Sequence, residues 1–214
     1  INHLEAHIYA NFLADPSLNY PFVCLLASGG HTQLWHVKKM NNYILLGETR
    51  DDAAGEAFDK GARILGLSYP GGPAIEQAAK GGNPCAYSFP RGLMNVDSLE
   101  FSFSGLKTSL LYFMDDYRES QTMKIQDVIA SYQEAIVDSL VEKMKRAVHI
   151  TKTDTGVVAG GVASNKRLRD CLNKSLPNIR ILFPDLTYCT DNAAMIGYLG
   201  EQKINSGMVG TLEF

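Results

Sequence analysis

The chain has 214 residues, of which 45% are hydrophobic and 20% are charged. This composition supports a large hydrophobic core and argues against intrinsic disorder, and the length suits one large domain or two small ones. The net charge of −3 argues against a broad basic face that grips nucleic acid alone, although a partner can still supply such a substrate. We interpret the basic clusters at 143–146 and 166–169 as solvated helix faces.

The sequence also argues against a membrane protein and a disulfide-rich protein. No apolar run approaches the ~18 residues that a membrane span needs, and the opening residues lack the basic start and apolar stretch of a signal peptide. The cysteines are scattered with no C-x-x-C pair, which excludes a zinc ribbon and favours a reducing compartment. We therefore expect a cytoplasmic protein with no membrane partner.

The pattern of apolar residues predicts a mixed α/β protein. Strand hairpins come first and strand–helix pairs follow, which indicates a sheet with helices on its faces. In chain order the predicted elements are a helix over 1–10, strands over 22–27, 32–37 and 43–47, a helix over 52–65, a helix opened by Pro73, an irregular stretch over 81–100, helices over 104–117 and 125–150, a strand over 156–159, a helix from about Ser164, a strand over 179–183 and a helix over 192–205.

A pair of histidines lies in the first predicted helix. His3 and His7 are four residues apart, so their side chains lie about 40° apart around the helix and one turn apart along it. Two imidazoles in that arrangement can bind one metal ion. On spacing alone, a helix with two unrelated surface histidines is the more common explanation.

The first glycine loop follows a strand that is apolar at every position. Gly29 and Gly30 have no side chains, so backbone N–H groups can point at an anion there, and Ser28 and Thr32 add hydroxyl groups. The loop is thus a candidate phosphate site. An ordinary hairpin turn is the alternative explanation.

The second glycine loop covers residues 160–165 and connects a buried strand to a helix. Two glycines at such a position commonly admit a nucleotide, and the amide of Asn165 can contact a base or ribose. N-capping of the helix by Ser164 or Asn165 is the alternative. The loop matches neither the Rossmann fingerprint nor a Walker A loop.

Acidic residues surround the start of the predicted helix 52–65. Asp51 and Asp52 are explained by the helix dipole, which favours negative charge in the first turn. Asp59 lies deeper in that helix, where no capping role explains it. A carboxylate near a glycine loop suits the two hydroxyl groups of a ribose.

Segments spread over nearly the whole chain match the motifs of a single family. They are HLEAH at 3–7, SGGHTQ at 28–33, DDAAGEAFDK at 51–60, YPGGP at 69–73, FSFSGLKT at 101–108, GGVASN at 160–165 and TDNAAMI at 190–196. Together they resemble the bacterial and organellar tRNA adenosine threonylcarbamoyltransferase family, known as TsaD and formerly labelled a sialoglycoprotein endopeptidase.

The resemblance implies an α/β fold of the actin/Hsp70-like nucleotide-binding kind, with two lobes. Residues 19–188 would form the second lobe, and residues 1–18 and 189–214 would be the remaining helices of the first lobe and the hinge. Family members carry a long segment before the histidine pair, including an acidic motif that faces the reacting group. Since nothing in this sequence corresponds to that motif, we assign no catalytic residue and expect little activity from these residues alone.

The resemblance also implies a reaction, in which a threonylcarbamoyl group passes from its adenylate to the exocyclic amine of the adenosine 3′ of the tRNA anticodon. His3, His7 and Asp191 would bind one divalent ion, and this ligand set suits Fe²⁺ and Zn²⁺ equally. Glu76 stands where some members have an aspartate. The residues implied to bind the adenylate, an ATP-type nucleotide, are Leu26, Ala27, Ser28, Gly29, Gly30, Asp59, Gly72, Glu76 and Asn165.

Partners implied by the resemblance are tRNA, a paralogous two-lobe protein and a small ATPase. The compartment would be the cytoplasm, or an organellar matrix if the source is a eukaryote. Asp191 has an alternative role as the cap of the last helix, which Thr190 can also fill. A non-catalytic nucleotide-binding scaffold in the modification complex remains a second hypothesis.

A metallopeptidase is the main enzymatic alternative, since it too would use the histidine pair. In H-E-x-x-H the glutamate follows the first histidine and reaches the metal-bound water. Here Glu5 comes two residues after His3, close to 180° from the midline of the two imidazoles. It therefore points away from a metal on that face and cannot act as the base.

Overall fold

A computed structural model describes residues 1–94, 97–119 and 123–208. Helices cover both faces of a five-stranded sheet with the order β3-β2-β1-β4-β5. The strands are β1 (Phe22–Ala27), β2 (Thr32–Lys39), β3 (Asn42–Glu48), β4 (Thr155–Ala159) and β5 (Arg180–Leu182). The helices are α1 (His3–Ala14), α2 (Ala54–Ile64), α3 (Gly71–Ala78), α4 (Ser104–Glu119), α5 (Ile125–Thr151), α6 (Lys166–Ser175) and α7 (Ala193–Asn205).

The sheet is mixed, as the order of predicted elements indicated. Strands β1, β2 and β3 form an antiparallel meander. Strand β4 joins β1 in parallel, with Leu26 beside Ala159, and β5 joins β4 in parallel. The carboxyl ends of β1 and β4 are therefore neighbours, and the two glycine loops that follow them emerge at the same edge of the sheet.

Each face of the sheet buries a separate core. Along β1, Val23, Leu25 and Ala27 face the larger core, which also receives helices α2 to α6. The alternate residues Cys24 and Leu26 face the smaller core, which includes α1 and α7. All six β1 residues are buried, because side chains alternate between two covered faces.

Helices α1 and α7 pack together on the face opposite α5. This is where the predicted segments 1–18 and 189–214 come together, although residues 209–214 lie outside the described part of the chain. None of the helices in the described ranges is long and apolar enough to cross a membrane.

Some predicted boundaries are wrong, and side-chain caps explain two of them. The first helix begins at His3 rather than Ile1, because the Asn2 side chain accepts a hydrogen bond from the Glu5 amide at 3.0 Å. A 3₁₀ turn over Gly161–Ser164 precedes α6, which is capped by Asn165. Helix α2 begins two residues later than predicted, and α3 begins at Gly71, ahead of Pro73.

The irregular stretch over 81–100 has no helix or strand among its described residues; residues 95 and 96 lie outside them. Lys143 on α5 fixes it by donating to the carbonyls of Leu93 at 2.7 Å and Ser98 at 2.6 Å. Lys143 is completely buried, and burial lowers its pKa. The interpretation of 143–146 as a solvated face is therefore wrong for this residue.

Candidate functional site

Helix α1 and the turn before α7 bring His3, His7 and Asp191 together. The Asp191 Oδ1 atom lies 2.9 Å from His3 Nε2 and 3.0 Å from His7 Nε2. The ligating atoms of all three side chains lie within 4.8 Å of one another. His7 is buried, whereas half of the His3 side chain and most of the Asp191 side chain are exposed. The cluster therefore opens to solvent on one side.

The protonation states of this cluster suit a metal site. Burial lowers the pKa of His7 more than the hydrogen bond to Asp191 raises it. The hydrogen bond from His3, joined by the one from His7, holds the pKa of Asp191 below its ordinary value. A neutral imidazole and an ionised carboxylate are the forms in which these side chains bind metals.

The donor atoms also fit a divalent ion. Tetrahedral ligands at the usual Zn–N and Zn–O lengths lie roughly 3.3 Å apart, and Asp191 Oδ1 lies 2.9 Å and 3.0 Å from the two histidine nitrogens. His7 Nδ1 is buried, with no hydrogen-bond partner among the residues of the structure. Asp191 does not cap α7, because Asn192 does so by accepting from the Met195 amide at 2.9 Å. Two imidazoles and this carboxylate are therefore available to hold an ion.

A cavity of about 280 Å³ lies beside this cluster, at the carboxyl ends of β1 and β4. Its wall includes Thr190, the residue before Asp191. Residues from both glycine loops, α2 and α3 contribute the rest of the wall. The lining residues are Gly29, Gly55, Phe58, Asp59, Tyr69, Pro70, Gly72, Pro73, Glu76, Gly161, Val162, Ser164, Asn165 and Thr190.

Close backbone approach builds the wall of the cavity. Gly160 has a φ of 87°, and a Cβ atom added there would lie 2.4 Å from the Ala27 carbonyl oxygen. A Cβ on Gly55 would lie 2.5 Å from the carbonyl oxygen of Ser28, which already accepts from the Gly55 amide at 3.1 Å. Only glycine allows these contacts, since a Cβ atom cannot lie so close to a carbonyl oxygen.

A family model described as TsaD, tRNA N6-adenosine threonylcarbamoyltransferase, matches residues 1–198. The chain belongs to the TsaD family. A relative of that name from Kosmotoga olearia is 50% identical over 100% of this chain, and one from Desulfitobacterium hafniense is 52% identical over 94%. The chain spans 64% and 60% of the length of these two TsaD proteins.

Solved structures resemble the chain in fold alone. Full-length HypF in its phosphate- and nucleotide-bound form matches 98% of this chain with a TM-score of 0.70 and 12% identity, over 36% of HypF. The activator of the 2-hydroxyisocaproyl-CoA dehydratase from Clostridium difficile, with bound ADPNP, matches 100% of the chain and 72% of its own length with a TM-score of 0.55 and 16% identity. The predicted actin/Hsp70-like fold class is confirmed for this TsaD chain.

The structure brings five of the predicted adenylate-binding residues to the cavity of this TsaD chain, namely Gly29, Asp59, Gly72, Glu76 and Asn165. Ser28 lies in the turn beside it, where its hydroxyl oxygen accepts from the His31 amide at 3.1 Å. The other predicted residues do not line it. Leu26 and Ala27 are buried in β1, and Gly30 is exposed on the far side of the turn.

Two lining residues also have structural roles. Asp59 Oδ1 accepts from the Gly71 amide at 2.7 Å, so it caps α3, and the expectation that no capping role explains it is wrong. Asn165 caps α6 through the Leu168 amide and donates to Gln133 at 3.0 Å. Each still has a second oxygen or N–H that these contacts leave open.

Two hydrogen bonds correct the predicted roles of nearby polar residues. The Thr32 hydroxyl is buried and accepts from the Ala54 amide at 2.8 Å. It therefore caps α2 instead of facing an anion. Asp51 precedes α2 and accepts from the Phe103 amide at 2.7 Å, so it stabilises the start of α4.

The contacts of Glu5 do not allow it to act as a peptidase base. Its Oε1 accepts from the Tyr43 hydroxyl at 2.6 Å. Its other oxygen pairs with Lys203 of α7. Because both oxygens are taken by partners outside the metal-binding cluster, the arrangement agrees with the predicted direction of this side chain.

Sequence reasoning missed the contribution of Gly55 and Thr190 to the cavity. Gly55 lies in the segment DDAAGEAFDK, where a glycine in the first turn of a helix is a signal of close approach. Thr190 carried no local signal, because its place beside Gly161 arises from the packing of the chain.

Proposed function

We propose that this chain carries the nucleotide- and metal-binding part of an enzyme that transfers a threonylcarbamoyl group from its adenylate to the N6 amine of an adenosine in tRNA. The observation that supports this most is the contact between the two sites: Thr190 lines the cavity, and Asp191 belongs to the histidine cluster. An adenylate in the cavity would place its phosphate beside that cluster.

The reaction is an acyl transfer. The adenosine amine attacks the carbamoyl carbon, the bond from that carbon to the phosphate oxygen breaks, AMP leaves, and the amine loses a proton. Gly29 lines the cavity, and its backbone N–H would stabilise negative charge on the departing phosphate. Asp59 and Glu76 would bind ribose hydroxyls through their free carboxylate oxygens.

His3, His7 and Asp191 would hold one divalent ion, Fe²⁺ or Zn²⁺. When bound, such an ion supplies a Lewis acid beside the phosphate and carbamoyl oxygens. The residues of this chain position that charge: Asp191 contributes the anionic ligand, and the buried ring of His7 keeps water from one side of it.

We also propose that the full-length protein works on tRNA in the cytoplasm, or in an organellar matrix, with a paralogous two-lobe protein and a small ATPase. The family membership supports these assignments. A non-catalytic scaffold would bind nucleotide through the same cavity without turnover, so nucleotide binding alone does not separate the two functions.

Nucleoside analysis of tRNA tests the proposal. Cells depleted of the protein should lose threonylcarbamoyladenosine, and the full-length form should restore it. A His7→Ala form of the full-length protein should fail to restore it. An unchanged threonylcarbamoyladenosine content on depletion would reject the transferase function, and full restoration by the His7→Ala form would reject the role of the metal cluster.

A further inference from the structure

We infer that Glu5 is a positioning residue, which fixes the two histidines of α1 in register with Asp191. It acts through a partly buried ion pair to α7 and a hydrogen bond to β3. This inference rests on the metal site proposed above and adds a residue to it that binds no metal. The Glu5 carboxylate, the Tyr43 hydroxyl and the Lys203 ammonium form the positioning triad.

The triad joins the three elements that determine the metal-binding geometry. Glu5 lies between His3 and His7 in the sequence of α1 and is 8% exposed. Lys203 lies in the last turn of α7, and Tyr43 lies in β3. Both carboxylate oxygens are used, one by the Tyr43 hydroxyl at 2.6 Å and the other by Lys203.

An ion pair between the buried Glu5 and the partly exposed Lys203 is poor evidence of stabilisation. Removing two charges from water costs several kcal/mol per ion, and well-packed apolar residues often replace such a pair at no loss of stability. What a buried pair can supply is one defined arrangement of the elements that it joins. Here the joined elements are α1, which carries His3 and His7, and α7, which is preceded by the turn that carries Asp191.

Helix α7 is attached to α1 at two distant points. Asp191 meets the histidines before the first turn of α7, and Lys203 meets Glu5 in its last turn. The two attachments are separated by roughly 18 Å along the helix axis, at 1.5 Å per residue. A tilt of about 5° of the α7 axis would displace one end of the helix relative to the other by about 1.6 Å over that length, unless both ends are held. Functional groups need to be held to about 0.5 Å, so the second attachment has a measurable task.

Tyr43 attaches the same carboxylate to the sheet. A second hydroxyl contact in this region, 2.8 Å between Tyr9 and Tyr20, ties α1 to the segment that enters β1. Helix α1 is thus attached to β3 by the hydrogen bond of Glu5 and to the segment before β1 by the hydrogen bond of Tyr9. Two members of this set also reach α7, Tyr9 through its ring contact with Tyr198 and Glu5 through its ion pair with Lys203. The ion pair is the directional one of these two contacts, so the loss of Glu5 should shift the ligands relative to one another.

The test measures Co²⁺ binding to the full-length protein, because Co²⁺ reports affinity and ligand geometry in its visible absorption. Glu5→Gln keeps the shape of the side chain and an oxygen for Tyr43 but removes the ion pair, and Lys203→Met removes it from the other side. Both should bind Co²⁺ about tenfold more weakly, as changes of outer-shell partners do, with displaced absorption bands.

Glu134→Gln is the matched control. Glu134 is also 8% exposed and also pairs with a cation of another helix, Arg167 of α6, but it lies on the opposite side of the sheet. The Glu134→Gln protein should bind Co²⁺ with the affinity and spectrum of the wild-type protein, even if its thermal stability is lower. Tyr43→Phe provides a milder change and should shift the bands in the same direction by less.

The outcomes separate this inference from the metal site itself. If the wild-type protein binds no Co²⁺, or if His7→Ala binds it equally well, the proposed metal site is wrong. If the wild-type protein binds Co²⁺ and Lys203→Met and Tyr43→Phe bind it with unchanged affinity and spectrum, the positioning role of Glu5 is wrong. These two variants decide the question if Glu5→Gln fails to fold.

Discussion

The proposed metal cluster and the proposed nucleotide cavity of this chain are built by different means. The cavity lies at one edge of the sheet, where glycines such as Gly55 and Gly160 allow close approach of the backbone. The metal cluster consists of side chains on α1 and on the turn before α7, and these two helices pack together on one face of the sheet. The cavity therefore depends on the sheet, whereas the cluster depends on how α1 and α7 sit against each other.

This difference has a consequence for mutation. Loss of a side chain at the cluster should remove metal binding and leave the cavity intact. Loss of a close approach in the cavity should weaken nucleotide binding and leave the cluster intact. A residue that contacts both regions should affect both ligands.

The largest expected effect is at the metal cluster. Replacing His7 with Ala removes a buried ligand atom that lies 3.0 Å from Asp191. We expect Co²⁺ or Zn²⁺ affinity to fall by more than about 100-fold, above the loss seen for outer-shell changes. The affinity for ADPNP, titrated without added metal, should stay within about twofold, because His7 is not among the residues that line the cavity. Calorimetric titration with each ligand measures both, and a parallel loss of ADPNP affinity would contradict the separation of the two sites.

Gly160→Ala should affect ligand binding in the cavity and leave metal binding unchanged. The new Cβ would lie 2.4 Å from the Ala27 carbonyl oxygen, at a φ of 87°. Strain of this kind costs about 1–3 kcal/mol, so urea denaturation should show a loss of that size, together with weaker ADPNP binding and unchanged metal affinity.

Gly105→Ala is the control for that change. Gly105 lies in the first turn of α4, and a Cβ added there meets nothing within 4 Å. The substitution should raise stability by about 0.5–1 kcal/mol, because alanine favours a helix. If Gly160→Ala proves as harmless as Gly105→Ala, close approach does not shape the cavity.

Arg169 provides the test of a residue that contacts both regions. It donates to the Ala163 carbonyl at 2.7 Å, in the second glycine loop, and to the Pro184 carbonyl at 2.9 Å, in the segment that leads to Asp191. Its guanidinium also lies over the Phe183 ring. Arg169→Met should cost about 2 kcal/mol of stability and weaken the binding of both ADPNP and metal. A change in only one ligand would show that the two loops are positioned separately.

The sequence predicted the local features of both regions and missed the distant contacts. The glycine loops were found because a turn after a buried strand is a short-range pattern, and the histidine pair was found because four residues make one helical turn. Asp191 came from the family resemblance alone, since it lies 184 residues from His7 and no local pattern joins them.

The predicted roles that failed did so for the same reason. Thr32 was expected to face an anion, but its hydroxyl is used by Ala54, which the turn of the chain brings back to the start of β2. The charged helix neighbours of Lys143 predict a surface residue, whereas the stretch over 81–100 folds across it. In each case the partner is far along the chain, and packing decides the outcome.

Asp51 should give the smallest effect, on stability alone. Burial acts to raise the pKa of Asp51, but hydrogen bonds from Ser102, Phe103 and Ser104 outweigh it and hold this pKa below its ordinary value. A depressed carboxyl pKa stabilises the fold above the unfolded value of about 3.9, and that contribution is lost as the pH falls through the folded pKa. Asp51→Asn should cost about 1 kcal/mol at pH 7 and flatten the loss of stability below about pH 4.

Asp116→Asn, in the helix α4 whose start Asp51 stabilises, is the control for this last change. Asp116 is exposed, so its loss should alter stability by less than about 0.5 kcal/mol at any pH. Chemical denaturation at pH 7 and pH 3.5 distinguishes the two variants. Because Asp51 lines neither site, ADPNP and metal affinity should be unchanged in Asp51→Asn, and a fall in either would mean that the start of α4 supports the cavity through α2.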